Sequence, residues 1–276
     1  MNEVDADRYG VMGYPVSHSR SPIIHRLFAQ PTHQHIQYEL IEVSPDELDA
    51  EIDQFGIAGG KGLNITVPHK HEVARLVDDL SERASNAGAV NTITLDNGRL
   101  YGDNTDGIGL LRDLQVNHNL KLKDSNILIL GAGGATRGII GPLLEAEPAS
   151  IVIANRTFSK ARSLADHFST QGPVDACRFD EVRSSPNYDL IINATSAGLS
   201  GEIALYPEHA VHPSTCCYDL SYSDSPTPFA RWATQHGAAS SIMGWGMLVE
   251  QAAESFFIWR GIQPDTAPVL KQLTPV

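Results

Sequence analysis

The chain has 276 residues and a mass of 29.9 kDa, which is enough for two modest domains with separate cores. Its formal net charge of −13 argues against nucleic acid as a partner, because phosphate binding needs a basic surface, and no apolar run reaches the roughly 18 residues of a membrane span. Three cysteines, two of them adjacent, and an acidic N-terminus without signal-peptide features predict a cytoplasmic protein with reduced thiols.

The first hundred residues alternate short β-rich runs with helical patterns. Strands are predicted at Tyr9–Gly13, Ile36–Val43, Gly62–Val67, Ala89–Leu95 and Arg99–Tyr101. The turn sequence Asp96-Asn97-Gly98 predicts that the last two form a hairpin. Helices are predicted from Ser21 to Ala29, from Ser44 onward, and from Pro68 to about Asn86. The acidic pair Asp78-Asp79 is interpreted as a solvated face of the third helix.

From Thr105 the pattern becomes typical of a doubly wound parallel sheet. After a linking helix at Gly107–Leu114, apolar strands are predicted at Asn126–Leu130, Ile151–Ala154, Asp189–Asn193, Cys217–Leu220 and Ala239–Met243. The final helix, Met247–Trp259, has a broad apolar face, and we expect it to pack on the N-terminal domain. The predicted domains are therefore residues 1–106, completed by residues 247–276, and residues 107–246.

A glycine-rich loop follows the first of these apolar strands and opens a helix. Glycines at this point allow a tight turn and let a pyrophosphate approach the free N–H groups of the helix start. Thr136 stands where the third glycine of the dinucleotide motif is expected, and a plain glycine-rich loop is the alternative interpretation. The candidate cofactor contacts in the loop are Gly131, Gly133, Gly134 and Ala135.

The end of the second strand of this domain discriminates between the two nicotinamide cofactors. An NAD site would carry an acidic residue there to bind the ribose 2′-hydroxyl, whereas this chain continues Asn155-Arg156-Thr157 with Lys160 one turn later. A guanidinium and an ammonium favour the additional 2′-phosphate of NADP. A single exposed arginine is usually only solvated, but this combination in an acidic protein predicts NADP(H).

Polar residues in the N-terminal half occupy positions that structure alone does not require. Ser17 and Ser19 alternate in an extended loop and could converge on a carboxylate, although a serine here also fits helix capping. Lys70 follows a predicted strand, and a lone lysine is usually solvated. Asn91 and Asp106 equally fit turn and cap chemistry.

Taken together, the segments of the chain resemble the shikimate dehydrogenase family. The segments that carry the resemblance are, in order, GYPVSHSRSP, NITVPHK, AVNT, DNTDG, GAGGATRG, NRT, NATSAG and GMLVEQAAESF. The resemblance implies an N-terminal α/β substrate domain, a Rossmann-type NADP-binding domain and an active site in the cleft between them. It also implies interconversion of 3-dehydroshikimate and shikimate with NADP(H), on the route to chorismate and the aromatic amino acids.

The resemblance assigns roles to individual residues. Lys70 and Asp106 match the catalytic pair, with Lys70 as the acid/base. The matching substrate contacts are Ser17, Ser19 and Tyr222 for the carboxylate, and Thr66, Asn91, Asp106 and Gln251 for the ring hydroxyls. Thr195 and Ser196 match a turn beside the cofactor, and Met243 and Gly244 match the nicotinamide side. The chain departs from the family at SIMGWG, where an Asp-Gly pair is expected before the final helix.

Two other functions remain open from the sequence. A quinate/shikimate dehydrogenase would differ in the pocket around the serine loop, and a non-catalytic NADP-binding sensor would need no proton-transfer pair. A metal site is not predicted, because His69 and His71 lack a complete ligand set. We expect a small-molecule substrate, no nucleic-acid or membrane partner, and a monomer or homodimer.

Overall fold

The computed structural model describes residues 6–184, 187–195 and 206–274, and the chain forms two compact units. The first unit contains the chain up to Gly109 together with Leu248–Leu273, and the second contains Leu110–Met247. The domain boundaries drawn from the sequence, and the cleft between domains as the location of the active site, stay predictions. Within the described ranges no helix combines the length and apolarity that crossing a membrane needs.

The first unit is built on a mixed six-stranded sheet in the order β2-β1-β3-β5-β6-β4. Its strands are β1 (Asp7–Gly13), β2 (Ile36–Glu42), β3 (Gly60–Ile65), β4 (Asp79–Leu80), β5 (Thr92–Asp96) and β6 (Arg99–Asp103). Strand β1 is parallel to both of its neighbours, whereas β5 is antiparallel to β3 and β6. Asn97 and Gly98 both have positive φ angles in the turn between β5 and β6, which confirms the predicted hairpin.

Helices pack against this sheet, and two of them begin at polar residues of interest, Lys70 and Asp106. They are α1 (Ser21–Ala29), α2 (Leu48–Ile57), α3 (Lys70–Leu76), α4 (Glu82–Ala87) and α5 (Asp106–Arg112). Helix α2 turns Leu48, Ile52 and Phe55 toward Leu63 and Ile65 of strand β3 in one buried cluster. Proline at the second position of α1 is tolerated because its missing N–H has no partner at a helix start.

The second unit is a fully parallel six-stranded sheet in the order β12-β11-β10-β7-β8-β9. Its strands are β7 (Asn126–Leu130), β8 (Ser150–Ala154), β9 (Val174–Cys177), β10 (Leu190–Asn193), β11 (Cys216–Asp219) and β12 (Ser240–Met243). Numbered within the unit, this is the order of a doubly wound dinucleotide-binding sheet. The predicted fold class is confirmed.

The central strand of this sheet explains why its sequence is continuously apolar. Ile127 and Ile129 join the core on one face, and Leu128 and Leu130 join the core on the other. Because successive side chains of a strand point to opposite faces, a strand covered by helices on both sides needs apolar residues at every position. The covering helices of the second unit are α6 (Gly134–Glu145), α7 (Phe158–Phe168) and α8 (Pro228–Gln235).

The last two helices, α9 (Trp245–Arg260) and α10 (Ala267–Leu273), complete the core of the first unit. Ile24 and Phe28 of α1 share a buried cluster with Val249 and Phe256 of α9 and Val269 of α10. Burying an aliphatic or aromatic side chain of this size contributes about 1.5–3 kcal/mol relative to leaving it in water. The C-terminal helices are therefore part of the N-terminal unit's core.

The single helix predicted from Pro68 to about Asn86 is wrong. The structure has two short helices separated by strand β4, which pairs with β6 through Asp79 and Leu80. Val77 leaves the helical conformation, and the main chain of Asp78 donates to Leu100 O at 2.9 Å. The Asp78-Asp79 pair consequently belongs to a sheet edge and not to a helix face. Pairing with β6 overrides the local helical pattern. Strand β9 was not predicted.

Gly246, at the start of α9, leaves room for a buried carboxylate within the second unit. Asp113 is 1% exposed and accepts hydrogen bonds from Tyr218 Oη at 2.6 Å and Asn117 Nδ2 at 2.9 Å. A Cβ atom on Gly246 would overlap the Asp113 carboxylate. Since these hydrogen bonds prevent the carboxylate from moving aside, Gly246→Ala is expected to lower the free energy of unfolding by about 1–3 kcal/mol.

Urea unfolding of the full chain measures this loss, with Gly141→Ala as the matched control. A Cβ atom on Gly141 in helix α6 would lie 3.8 Å from Phe168 Cε1, an ordinary contact. Alanine favours the helix over glycine by about 1 kcal/mol, so the control is expected to be neutral or stabilising. Equal unfolding midpoints for the two variants would contradict this explanation.

Candidate active site

Two helix starts within the first unit bring a lysine and an aspartate together. Lys70 opens α3 and Asp106 opens α5, and Lys70 Nζ lies 2.6 Å from Asp106 Oδ2. The side chains are 19% and 7% exposed, so the pair is largely shielded from water but the ammonium can still be reached. The main chain fixes the lysine as well, because Val90 N–H donates to Lys70 O at 2.8 Å. The result is a short, charge-assisted hydrogen bond.

The other carboxylate oxygen of Asp106 is also held. Asn91 Nδ2 donates to Asp106 Oδ1 at 2.8 Å, and the Asp106 N–H donates to Asn104 Oδ1 at 3.1 Å. Asn91 is 2% exposed. The carboxylate is therefore oriented by an amide on one side and by the lysine on the other, the arrangement that an oriented acid/base pair requires.

Gln251 of helix α9 lies beside the same cluster within the first unit. Its Oε1 atom is 3.4 Å from Asn91 Nδ2 and 3.4 Å from Thr105 Oγ1. Gly109 makes this approach possible, because a Cβ atom there would lie 2.7 Å from the main-chain N of Gln251. Four of the residues assigned from the resemblance, Lys70, Asn91, Asp106 and Gln251, thus form one cluster.

The serine loop follows strand β1, and Thr66 follows the parallel neighbour β3. The Thr66 N–H donates to Met12 O at 2.9 Å, so both segments leave the same edge of the sheet. Ser17 is exposed, whereas Ser19 Oγ accepts from the Ser21 N–H at 3.3 Å. Arg20 holds the cap position of α1 without a side-chain cap hydrogen bond, and the Ser19 hydroxyl instead accepts from the N–H of the first helical residue. The capping alternative therefore fits Ser19.

The glycine loop of the second unit has the geometry that a pyrophosphate needs. Gly131 has a φ of +107°, and a Cβ atom there would lie 2.9 Å from Ala194 O, so only glycine fits. A Cβ atom on Gly133 would meet nothing within 4 Å, which leaves open space before the start of α6 at Gly134. Buried Thr136 donates from Oγ1 to Gly131 O at 2.9 Å and so fastens the loop in place of the missing third glycine.

The residues after β8 present positive charge at the carboxyl end of that strand. Asn155 Nδ2 donates to Thr157 O at 2.9 Å and closes the turn, while Arg156, Thr157 and Lys160 are exposed. No acidic residue occupies the end of β8, where one would repel a phosphate. These donors and cations fit NADP(H) better than NAD(H). Ala135 lies in the first turn of α6, where N–H groups face the loop.

The remaining predicted cofactor and carboxylate contacts lie at the carboxyl ends of β10, β11 and β12. Thr195 donates from N and Oγ1 to Asn193 Oδ1 at 3.2 Å and 2.7 Å. Met243 ends β12, and a Cβ atom on Gly244 would lie 2.5 Å from Leu220 O. The ring of Tyr222 is 4.7 Å from that of Trp245, centroid to centroid. Ser196 lies outside the described residues.

Comparison with known proteins gives the family. Residues 11–93 match the shikimate dehydrogenase substrate binding domain, residues 114–201 match shikimate / quinate 5-dehydrogenase, and residues 244–274 match the shikimate 5′-dehydrogenase C-terminal domain. A shikimate dehydrogenase (NADP(+)) from Alkalilimnicola ehrlichii is 51% identical over 269 residues, which cover 98% of this chain and 99% of that protein. The chain belongs to the shikimate dehydrogenase family.

Solved structures are similar to this chain along nearly its whole length. An Ael1 enzyme from Pseudomonas putida has a TM-score of 0.91 at 42% identity and covers 98% of this chain and 99% of its own. Shikimate 5-dehydrogenase from Thermus thermophilus, solved with NADP(H) and shikimate, has a TM-score of 0.86 at 31% identity. The match covers 96% of this chain and 97% of that one. The family resemblance drawn from the sequence is thereby confirmed.

The sequence analysis missed the polar residues that connect to the cluster. They are the buried Asn64, Thr92, Thr105 and Ser255 and the half-buried Tyr38. Asn64 offered a signal in the sequence, because it is a polar residue between two apolar ones, Leu63 and Ile65, and all three are buried in the strand. His69, one of the two histidines for which the sequence predicted no metal site, contacts a main-chain carbonyl: its Nε2 is 2.8 Å from Val43 O. Among the residues that the structure describes, no cluster of three or more His, Cys, Asp or Glu could hold a metal ion.

Asp103, three residues before Asp106, stabilises this segment through its ionised form. It accepts from Arg83 Nε at 2.7 Å, Arg83 Nη2 at 2.8 Å and Ser81 Oγ at 2.5 Å. Burial alone would raise the pKa of Asp103, but the hydrogen bonds from Arg83 and Ser81 outweigh it, and the pKa lies below the ordinary 3.8. A lowered folded-state pKa stabilises the fold above pH 3.8, and this contribution is lost as the pH falls through the folded-state pKa.

Asp103→Asn is therefore expected to lower the free energy of unfolding by about 2 kcal/mol near neutral pH, the value of hydrogen bonds to a charged group. The deficit relative to the unchanged chain should shrink as the pH is lowered below 3.8. Urea unfolding at a series of pH values measures it. Asp79→Asn is the control, since the exposed pair with Arg99 contributes less than about 1 kcal/mol. A deficit that does not change with pH would contradict the ionised state as its source.

Proposed function

We propose that this chain catalyses the reversible NADPH-dependent reduction of 3-dehydroshikimate to shikimate, a step toward chorismate and the aromatic amino acids. Relatives named shikimate dehydrogenase (NADP(+)) match this chain over nearly its whole length, and this similarity supports the activity. The observation that carries the proposal is the contact of Lys70 with Asp106, because a ketone reduction needs a positioned acid.

NADPH, when bound, supplies a hydride to the ring ketone carbon, C3 of the substrate. The proton that completes the alcohol comes from Lys70 Nζ, and Asp106 holds the ammonium toward the substrate oxygen. In the reverse direction Lys70 takes the hydroxyl proton. Proton transfer to or from a reacting oxygen by a positioned group contributes about 10²–10⁴-fold to the rate.

The substrate's other polar groups are matched by the surrounding side chains. We assign the ring hydroxyls to Thr66, Asn91, Asp106 and Gln251, and the carboxylate to Ser17, Ser19 and Tyr222. Hydroxyl donors suit a carboxylate because each gives one hydrogen bond without requiring a buried cation. Three positions in the first unit, Asn91, Asp106 and Gln251, already contact one another directly or through Thr105.

The second unit would hold the cofactor at the carboxyl edge of its sheet. We assign the pyrophosphate to Gly131, Gly133, Gly134 and Ala135, and the 2′-phosphate to Asn155, Arg156, Thr157 and Lys160. Thr195, Ser196, Met243 and Gly244 are assigned to the nicotinamide side. In a chain of net charge −13, two local cations at this turn provide the attraction that the protein as a whole does not.

The experiment that tests the proposal follows the absorbance of NADPH with 3-dehydroshikimate, and repeats it with 3-dehydroquinate and with NADH. We expect turnover with 3-dehydroshikimate and NADPH at least about tenfold above the other combinations, since one hydrogen-bonded group commonly discriminates by that factor. Comparable turnover of both acids would indicate a quinate/shikimate dehydrogenase. Binding of NADPH without turnover of either acid would indicate a sensor. A cytoplasmic location and a monomeric or homodimeric state stay predictions.

A further inference from the structure

A continuous line of hydrogen bonds, half-buried at Tyr38 and buried beyond it, runs through the first unit from strand β2 to the Asp106 carboxylate. Tyr38 Oη donates to Asn64 Oδ1 at 2.7 Å, and Asn64 Nδ2 donates to Ser255 Oγ at 3.0 Å. Ser255 Oγ is 2.8 Å from Thr92 Oγ1. Thr92 lies next in the chain to Asn91, the residue that orients Asp106. Four secondary-structure elements, β2, β3, β5 and α9, contribute to this line.

The donors along this line all point the same way. Thr92 has one hydroxyl proton and donates it to Asn91 Oδ1 at 2.9 Å, so the proton in the Ser255–Thr92 contact comes from Ser255. Asn91 Nδ2 then donates to Asp106 Oδ1 at 2.8 Å. The other acceptors near Ser255 Oγ, the main-chain O of Gln251 at 3.1 Å and Thr105 Oγ1 at 3.3 Å, are farther away. Each bond therefore polarises the next toward the negative charge at its end.

The environment of this line keeps its members neutral and in place. Thr92 and Ser255 are 0% exposed, and Asn64 is 6% exposed. Burial raises the pKa of Tyr38, which keeps its phenol protonated as a donor. Its ring stacks on that of buried His25 with the centroids 4.2 Å apart and the planes at 10°. The far end of the line is thus anchored in a packed aromatic layer.

We propose that Tyr38, Ser255 and Thr92 are positioning residues for the reduction, acting on the Lys70–Asp106 pair through Asn91. None of the three contacts Lys70 or Asp106 in the described structure, so their effect is to hold the Asn91 amide and the carboxylate it orients. If the three residues had only a structural role, their hydrogen bonds would stabilise the fold but would not need to point toward Asp106. The inference rests on the proposed function, because it concerns the rate of that reaction.

Tyr38→Phe in the full chain tests the proposal with the smallest change. It removes one hydroxyl at the end farthest from Asp106 and keeps the ring that stacks on His25. We expect kcat to fall about fivefold, the rate equivalent of one net hydrogen bond, with KM for 3-dehydroshikimate unchanged. Tyr9→Phe is the matched control: Tyr9 lies directly opposite Tyr38 on β1, and its hydroxyl accepts from Arg260 instead. Its kcat is expected to stay at the unchanged chain's value.

A double-mutant cycle separates positioning from general stability. Thr92→Val keeps the shape of the side chain but removes the hydroxyl that reaches Asn91, and should also lower kcat. Asn64 Nδ2 also donates to the main-chain O of Asn91 at 3.2 Å, so Thr92→Val weakens the link without removing it. Adding Tyr38→Phe should then lower kcat by less than its effect in the unchanged chain, because residues in one network are not additive. Thr92→Ser, which keeps the hydroxyl, should retain kcat. Thermal unfolding of each variant verifies that all are folded at the assay temperature.

Three outcomes would overturn the inference: unchanged kcat in Tyr38→Phe, an equal loss in Tyr9→Phe, or additive losses in the double variant. Each presupposes that the unchanged chain reduces 3-dehydroshikimate. An unchanged chain without turnover would instead reject the proposed function, so the two failures are distinguishable.

Discussion

Lys70→Ala is expected to lower kcat for 3-dehydroshikimate reduction by about 10²–10⁴-fold, the contribution of a positioned general acid. KM should change much less, because the ring hydroxyls keep their contacts to Asn91 and Gln251 and the loss is confined to the transition state. Steady-state kinetics with NADPH measures both constants. Lys61→Ala provides the control, since Lys61 is an exposed lysine on strand β3 of the same unit.

Removing the ammonium also leaves the Asp106 carboxylate, 7% exposed, without its cationic partner. An unpaired buried charge destabilises the fold, so the variant must be assayed below its own unfolding temperature. Circular dichroism establishes that temperature for both variants. A folded Lys70→Ala protein with near-normal kcat would remove Lys70 from the mechanism.

Arg156→Gln is expected to raise KM for NADPH by about 10- to 100-fold, the value of a charge-assisted contact to a phosphate. KM for NADH should stay unchanged, because NADH has no 2′-phosphate for the guanidinium to bind. The preference for NADPH over NADH then falls by the same factor, and kcat at saturating NADPH is preserved. Parallel titrations with the two cofactors give the ratio directly.

Arg162→Gln is the matched control for this change. Arg162 lies in helix α7, which follows the turn that contains Arg156, is exposed like Arg156, and pairs with Asp166 at 2.8 Å. Its replacement removes the same charge from the protein but should leave both KM values as they were. If the two variants lose NADPH affinity equally, the effect comes from overall charge and the assignment of Arg156 is wrong.

The fold was predictable because its signals are local. The apolar run Asn126–Leu130 next to Gly131 specifies a buried strand, a tight turn and a helix start within a few residues, and the structure has all three. The Asn97-Gly98 turn likewise specifies its hairpin. Such features depend on main-chain conformation and burial, which single residues determine directly.

The features that could not be predicted from the sequence depend on contacts between segments far apart in the chain. Strand β4 forms because Asp79 and Leu80 pair with β6, and the local sequence around them has a helical pattern. Thr92 and Ser255 read as an ordinary strand residue and an ordinary helix residue, yet they meet in space 163 positions apart. Nothing in their own neighbourhoods encodes that meeting. The proximity of Lys70 and Asp106 was likewise inferred only through the family resemblance.

The arrangement of the first unit affects the order in which the chain folds during synthesis. The core residues of the second unit all lie between Leu110 and Met247, so they are complete once Met247 has emerged from the ribosome. The N-terminal half is made first, but Ile24 and Phe28 lack their partners on α9 and α10 until the last few dozen residues arrive. A nascent chain therefore carries an uncovered apolar surface for most of translation, until the C-terminal helices cover it.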